Sequence, residues 1–322
     1  MQESGARRFL QEQELWFTFG AHRMRYIHVP AEGTASGSLP AVVFVHGLMG
    51  YSFSWRHNLK FFAQQRDVYA MDLLGIGHSD RPEANSVDFG LAATATRLLT
   101  FLRSLGHSQI DLVATSHGGA VAMMAASQDL SSPEPLIRRL VLVAPAHPFM
   151  TDARFRLAFF RTPFGRMVMR SVASHSHALR DKAIGRMYAD DSRITPETRA
   201  GYEANLGDPR SYEYALEVVR TWRQDMQQLQ AVLPLIASVP MLLLWGKEDR
   251  VVSCDSGLRL RRCFRNAEYV VLPDAGHLPY EETPEKFNRC VLQFVEGKRT
   301  SASAASDDDS RGRCHNNYHV SL

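Results

Sequence analysis

Short unbroken apolar runs recur along this chain, and the stretches between them carry apolar residues at helical spacing. A strand buried on both faces of a sheet reads as a continuous apolar run, whereas a half-buried strand alternates. Ala41-Val42-Val43-Phe44-Val45 and Met241-Leu242-Leu243-Leu244-Trp245-Gly246 are runs of the first kind, and residues 67–72, 110–113, 140–144 and 269–272 read the same way. Residues 15–19 and 24–29 mix polar with apolar positions and are expected as two antiparallel strands that open the sheet. Helical periodicity runs over 91–105, and the small-residue run 120–126 is expected as a helix packed against strands. Alternating strand and helix of this kind predicts an α/β fold, a mostly parallel central sheet covered by helices.

The rhythm breaks after Pro145. As far as Pro240 there is no convincing buried strand, and basic, aromatic helical stretches take over at 154–160, 164–172 and 212–230. Phe155, Phe159, Phe160, Phe164, Met167, Met169, Met187 and Trp222 give the insertion enough apolar bulk to pack as a lid. The expected division is a first core part at 1–146, a helical cap at 147–238, a second core part at 239–298, and a disordered tail at 299–322. That tail is low-complexity, Ser-Ala-Ser-Ala-Ala-Ser followed by three aspartates, with little to bury. His175 and His177 are expected as surface residues.

Composition narrows the function classes. Apolar residues make up 45% of 322, enough for a substantial core, and a formal charge of only +3 without a sustained basic run argues against nucleic-acid binding. The four cysteines (Cys254, Cys263, Cys290, Cys314) show no metal-ligand spacing, so free thiols in a reducing compartment are expected. Residues 1–8 lack the apolar core of a signal peptide, and no run reaches membrane-spanning length. A soluble cytoplasmic protein, monomer or homodimer, with no membrane partner is the expectation. No cofactor is implied: Gly75-Ile76-Gly77 follows a strand but lacks the third glycine of a dinucleotide loop.

Candidate chemistry gathers where strands end. Val113-Ala114-Thr115-Ser116-His117-Gly118-Gly119 places a serine between a buried strand and a helix. On such a turn the hydroxyl stands out over the sheet edge, and the next backbone N–H points into the same space. A serine hydroxyl needs an adjacent base oriented by an acid. Asp249 follows the 241–246 run, and His277 follows the 269–272 run. The order Ser116, Asp249, His277 is that of one triad fold and differs from the two protease orders. Glu248 is the alternative acid. The loop His46-Gly47-Leu48, after the 41–45 strand, offers the Leu48 N–H as one oxyanion donor, with the His117 N–H as the other. His46 itself is expected to brace its loop through ring hydrogen bonds.

With these motifs together, the chain resembles the α/β-hydrolase superfamily, in its cap-bearing esterase and C–C-hydrolase-like branch. His46-Gly47, the turn 72–79, the Ser116 elbow, Trp245-Gly246 with Asp249, and the loop 274–282 followed by Pro284 and Phe287-Asn288 carry the resemblance, which spans about residues 15–297. The elbow departs from the usual pattern in having Ala114 where glycine is commoner. What the resemblance implies is a serine hydrolase with a small-molecule acyl substrate and an acyl-enzyme intermediate. Haloalkane dehalogenases and epoxide hydrolases of similar overall pattern carry an aspartate at the elbow, and Ser116 argues against both chemistries. Cleavage of ring-fission diketones is the alternative, weakened because Leu278 stands where those enzymes commonly carry tryptophan. Thioester and lactone hydrolysis are equally compatible with the triad. A non-catalytic small-molecule sensor on the same scaffold is the reading from a different class.

Overall fold

The computed structural model describes residues 5–33, 39–83, 86–150, 162–169 and 175–300. Its centre is an eight-stranded sheet, β1 (Glu14–Phe19), β2 (His22–Val29), β3 (Ala41–Val45), β4 (Val68–Met71), β5 (Ile110–Thr115), β6 (Ile137–Val143), β7 (Met241–Gly246) and β8 (Ala267–Leu272), in the order β1-β2-β4-β3-β5-β6-β7-β8. The first two strands pair antiparallel with each other, and β2 pairs antiparallel with β4; all later pairings are parallel. The described helices are α1 (Gly5–Glu12), α2 (Leu59–Ala63), α3 (Leu91–Ser104), α4 (Ser116–Asp129), α5 (Pro163–Val168), α6 (His177–Met187), α7 (Pro196–Leu206), α8 (Pro209–Val232), α9 (Cys254–Arg261), α10 (Pro279–Glu282) and α11 (Pro284–Val295). The predicted α/β fold is the one observed.

The strands are apolar throughout because both faces are covered. Val43, Val45, Leu112, Ala114, Leu140, Leu142, Leu243 and Trp245 belong to one buried cluster, which includes residues of α3, α4 and α8. Their neighbours in sequence, Val42, Phe44, Val113, Val141, Val143, Leu242 and Leu244, belong to a second cluster with Trp55, Phe62, Phe287 and Phe294. Successive side chains alternate between faces, so an unbroken apolar run feeds both cores at once.

The insertion between β6 and β7 carries α5 to α8. Residues 154–160, expected as a helix, lie outside the described residues, as do 170–174 of the 164–172 stretch. The 212–230 stretch is the body of α8. Two helices of the insertion, α6 and α7, are not among the stretches expected from the sequence; Ile184 and Tyr202 tie them into the second core cluster, and polar contacts join α7 and Tyr188, just past α6, to the core. Arg56 Nη2 donates to Glu281 Oε2 at 2.7 Å and to Thr198 Oγ1 at 2.9 Å. Glu281 also accepts from the hydroxyls of Tyr188, at 2.6 Å, and Tyr202. Both side chains of the Arg56–Glu281 pair are 1% exposed, so this ion pair is sealed between insertion and core. The Glu281 charge raises the Arg56 guanidinium despite the opposing effect of burial.

His177 is exposed and pairs with Glu203 at 2.9 Å, and His175 is exposed as well. At the C-terminal end the structure differs from expectation. Thr300, within the expected tail 299–322, is buried and donates from its N–H and hydroxyl to Glu268 Oε2 at 3.1 and 2.6 Å. Residues 301–322 lie outside the described residues, Cys314 among them; Cys254, Cys263 and Cys290 are free thiols.

Candidate active site

Ligand sites in parallel α/β sheets form beyond the strands' carboxyl ends, and here three non-glycine residues with positive φ mark that edge. They are Met49 (φ 64) after β3, Ser116 (φ 51) after β5 and Ala144 (φ 39) after β6. Left-handed backbone at such residues costs roughly 1–3 kcal/mol each and persists where surrounding structure enforces it. At Ser116 the enforcement is visible. A Cβ on Gly118 would fall 2.2 Å from the carbonyl oxygen of His46, and one on Gly119 would fall 2.5 Å from Pro145 Cβ. The elbow is therefore wedged between the β3 and β6 loops, and the Ala146 N–H donates to Ser116 O at 2.8 Å.

The β3 loop lies directly on the serine. A Cβ at Gly47 would meet Ser116 Cβ at 3.0 Å and Oγ at 3.6 Å. His46 braces this loop as expected. Its Nε2 accepts from Leu73 N–H at 2.9 Å, which fixes the proton on Nδ1, and Nδ1 donates to Gly47 O at 2.8 Å. Burial pushes the His46 imidazole down, so it stays neutral against the opposing pull of Asp72. Among the described residues neither the Leu48 N–H nor the His117 N–H has a hydrogen-bond partner. His117, in the first turn of α4, has no intrahelical carbonyl to bond.

Asp249 and His277 are brought into direct contact. Asp249 Oδ2 accepts from His277 Nδ1 at 2.8 Å, while Oδ1 accepts from the N–H groups of Val251 and Val252 at 2.7 and 2.9 Å. The carboxylate is fully enclosed and the imidazole is 3% exposed. Glu248 points elsewhere; its side chain is exposed and its N–H is bonded to Ala275 O. The tight crossing of the two loops needs glycine at 246, where a Cβ would sit 2.0 Å from Gly276 O.

Tyr280, three residues on from His277, is fully buried, its ring centroid 4.2 Å from that of Trp55, while Thr115, directly before Ser116, donates from its hydroxyl to Val143 O at 3.2 Å. Ser116 Oγ itself makes no hydrogen bond among the described residues. Catalytic contacts of this type are often loose without substrate and tighten on binding.

Two further imidazoles stand at this edge with no role assigned from sequence. His117 is buried, with Nδ1 lacking a partner and its ring 6.1 Å from that of Tyr214; burial and the neighbouring His46 push it down to about 4. His147, after β6, pairs through Nε2 with Ser256 Oγ at 3.2 Å, and burial lowers it to about 3. Both are neutral near pH 7. Leu48, Met49, Phe149, Met150 and Trp222 are half-buried apolar groups packed on the core. Among the described residues no cluster of histidine, cysteine or carboxylate side chains could hold a metal ion.

Fold and sequence together define the class. The alpha/beta hydrolase fold family model matches residues 40–284, and the chain belongs to that family. An uncharacterized protein of Mycobacterium tuberculosis, Rv2715, is 26% identical over 272 residues, covering 81% of this chain and 76% of its own. Epoxide hydrolase 4 of Mus musculus is 25% identical over 271 residues, covering 80% and 73% respectively. Among solved structures, a thermophilic esterase from Thermogutta terrifontis superposes with a TM-score of 0.70 at 22% identity, covering 88% of this chain and 98% of that one. At that identity the likeness is one of fold. No described helix is long and apolar enough to cross a membrane.

Proposed function

We propose that this chain is a serine hydrolase that cleaves carboxylic esters or closely related acyl compounds through an acyl-enzyme. The observation that carries the reading is the enclosed Asp249–His277 pair at 2.8 Å, together with a serine held at positive φ directly after β5. Asp249 fixes the His277 proton on Nδ1 and leaves Nε2 free to accept. Ser116 Oγ attacks the substrate carbonyl as Nε2 takes its proton. The oxyanion that forms is met by the Leu48 and His117 N–H groups, which have no other described partner. Collapse expels the alcohol, protonated by His277. Water then attacks the acyl-Ser116 ester with its proton passed to the same Nε2, and the acid leaves.

The helical insertion, anchored by Arg56 and Glu281, acts in this reading as a cap that keeps water from the site until substrate binds. Epoxide hydrolase 4 is a relative by sequence, but epoxide opening does not fit a serine elbow. Attack by Ser116 on an epoxide carbon would leave an ether, which water does not cleave, whereas an aspartate leaves a hydrolysable ester.

Hydrolysis of p-nitrophenyl acetate, butyrate and octanoate by wild type and Ser116→Ala tests the proposal. Turnover is expected to fall by about 10⁴–10⁶-fold in the variant. Equal turnover by both proteins, or none by wild type on any of the three, overturns it.

A further inference from the structure

His277 is held from two sides, and one of them is not the core. Its ring is fixed by Asp249, but its own N–H donates to Met187 O at 2.8 Å, at the end of α6 in the insertion. The preceding Gly276 lies so close to this segment that a Cβ would come within 2.7 Å of Ala189 N and 2.8 Å of Met187 O. One carboxylate joins the two backbones. Glu282, turned back by the short helix α10, accepts from Gly276 N–H at 2.6 Å through Oε1 and from Ala189 N–H at 2.7 Å through Oε2.

Adjacent glutamates thus do different things. Glu281 bonds to side chains of the insertion and core. Glu282, buried at 7% exposure, takes its described side-chain bonds from backbone N–H groups alone, those of Gly276 on the His277 loop and Ala189 of the insertion. A carboxylate is suited to this because both oxygens accept; an amide supplies one acceptor and sets a donor against the other N–H.

We propose that Glu282 is a positioning residue for the His277 base, seating its loop on residues 187–189 so that the proton relay keeps its geometry only while the insertion is docked. This rests on the reading of His277 as the base given above. A carboxylate that merely stabilised the fold would lower the melting temperature and leave turnover alone. A positioning role instead lowers kcat with little change in KM, because displacement of a catalytic group by about 1 Å costs about 10²-fold.

The experiment compares wild type, Glu282→Gln and Lys286→Ala, the last removing an exposed pair with Asp274 on the same loop. Each is measured for p-nitrophenyl butyrate kinetics, for labelling of Ser116 by a fluorophosphonate, and for the low-field proton resonance of His277 Nδ1–H. In Glu282→Gln, kcat is expected to fall by about 10²-fold with KM within about threefold, labelling to slow, and the Nδ1–H resonance to shift or broaden. Lys286→Ala is expected to match wild type. Ala189→Pro removes one donor while leaving the carboxylate in place, and the extended Tyr188 before it (ψ 148) accommodates a proline. It serves if Glu282→Gln does not fold, with the same loss expected. Wild-type kcat and an unmoved resonance in either variant overturn the proposal, whatever their melting temperatures. Failure of the parent reading is separate: wild type itself would then be inactive and unlabelled, while the resonance still reports whether Glu282 seats the loop.

Discussion

Replacing Asp249 by asparagine exchanges one carboxylate oxygen for an NH₂ group, and the structure dictates which way the amide turns. Oδ1 accepts two backbone N–H groups, from Val251 and Val252, while Oδ2 accepts one bond, from His277 Nδ1. Asparagine can keep only one oxygen, and keeping it on the Val251–Val252 side retains two bonds instead of one. Its NH₂ then faces His277 and donates to Nδ1, which drives the imidazole proton onto Nε2. That nitrogen can no longer take the proton of Ser116. Holding the wrong tautomer in otherwise intact geometry costs about 10⁴-fold in kcat, or about 5 kcal/mol of transition-state stabilisation. Ester hydrolysis by Asp249→Asn and Glu248→Gln, each checked for a native circular dichroism spectrum, measures it. Glu248 is exposed and bonds through its backbone, so its variant is expected to stay within about twofold of wild type. An Asp249→Asn enzyme within about tenfold of wild type, or a Glu248→Gln enzyme that loses activity, refutes the reasoning.

Acid should unfold the protein through its buried imidazoles. His117 titrates near 4 when folded, so between that pH and the ordinary histidine range near 6.5 the unfolded chain binds the extra proton. Stability is lost as pH falls through this window, by roughly 3 kcal/mol from His117 alone. Urea denaturation at pH 7, 5 and 4 measures the slope, which His117→Gln should flatten; an unchanged slope contradicts the assignment. Arg56→Ala leaves the Glu281 carboxylate buried without its cation and should cost about 3–5 kcal/mol. Thermal melts are expected to show that loss, and to show part of it recovered in Arg56→Ala/Glu281→Gln; a melting temperature equal to wild type denies the buried pair its anchoring role.

The sheet was legible because its parallel strands are buried on both faces and so announce themselves as apolar runs, as at 41–45 and 241–246. The candidate site residues stand out in the sequence for a related reason: Ser116, Asp249 and His277 each follow such a run, past the carboxyl ends of β5, β7 and β8. Helix α1 escaped notice since Leu10 is its one buried residue, and α6 buries only Arg180 and Ile184. Glu281 and Glu282 were also opaque. An enclosed carboxylate is spelled like a solvated one, and its burial depends on Arg56, Tyr188, Tyr202 and backbone donors far away in sequence. Thr300 belongs to the same group, since two bonds to Glu268 order a residue whose neighbours read as tail.

The central claim is that Ser116 carries the acyl group, and peptide mapping by mass spectrometry after rapid acid quench of the reaction with p-nitrophenyl butyrate tests it most directly. The account predicts a single butyryl adduct on the peptide containing Ser116, absent from Ser116→Ala and discharged by water on longer incubation. Continued ester hydrolysis with the adduct on another residue, or undiminished hydrolysis by Ser116→Ala, would contradict it.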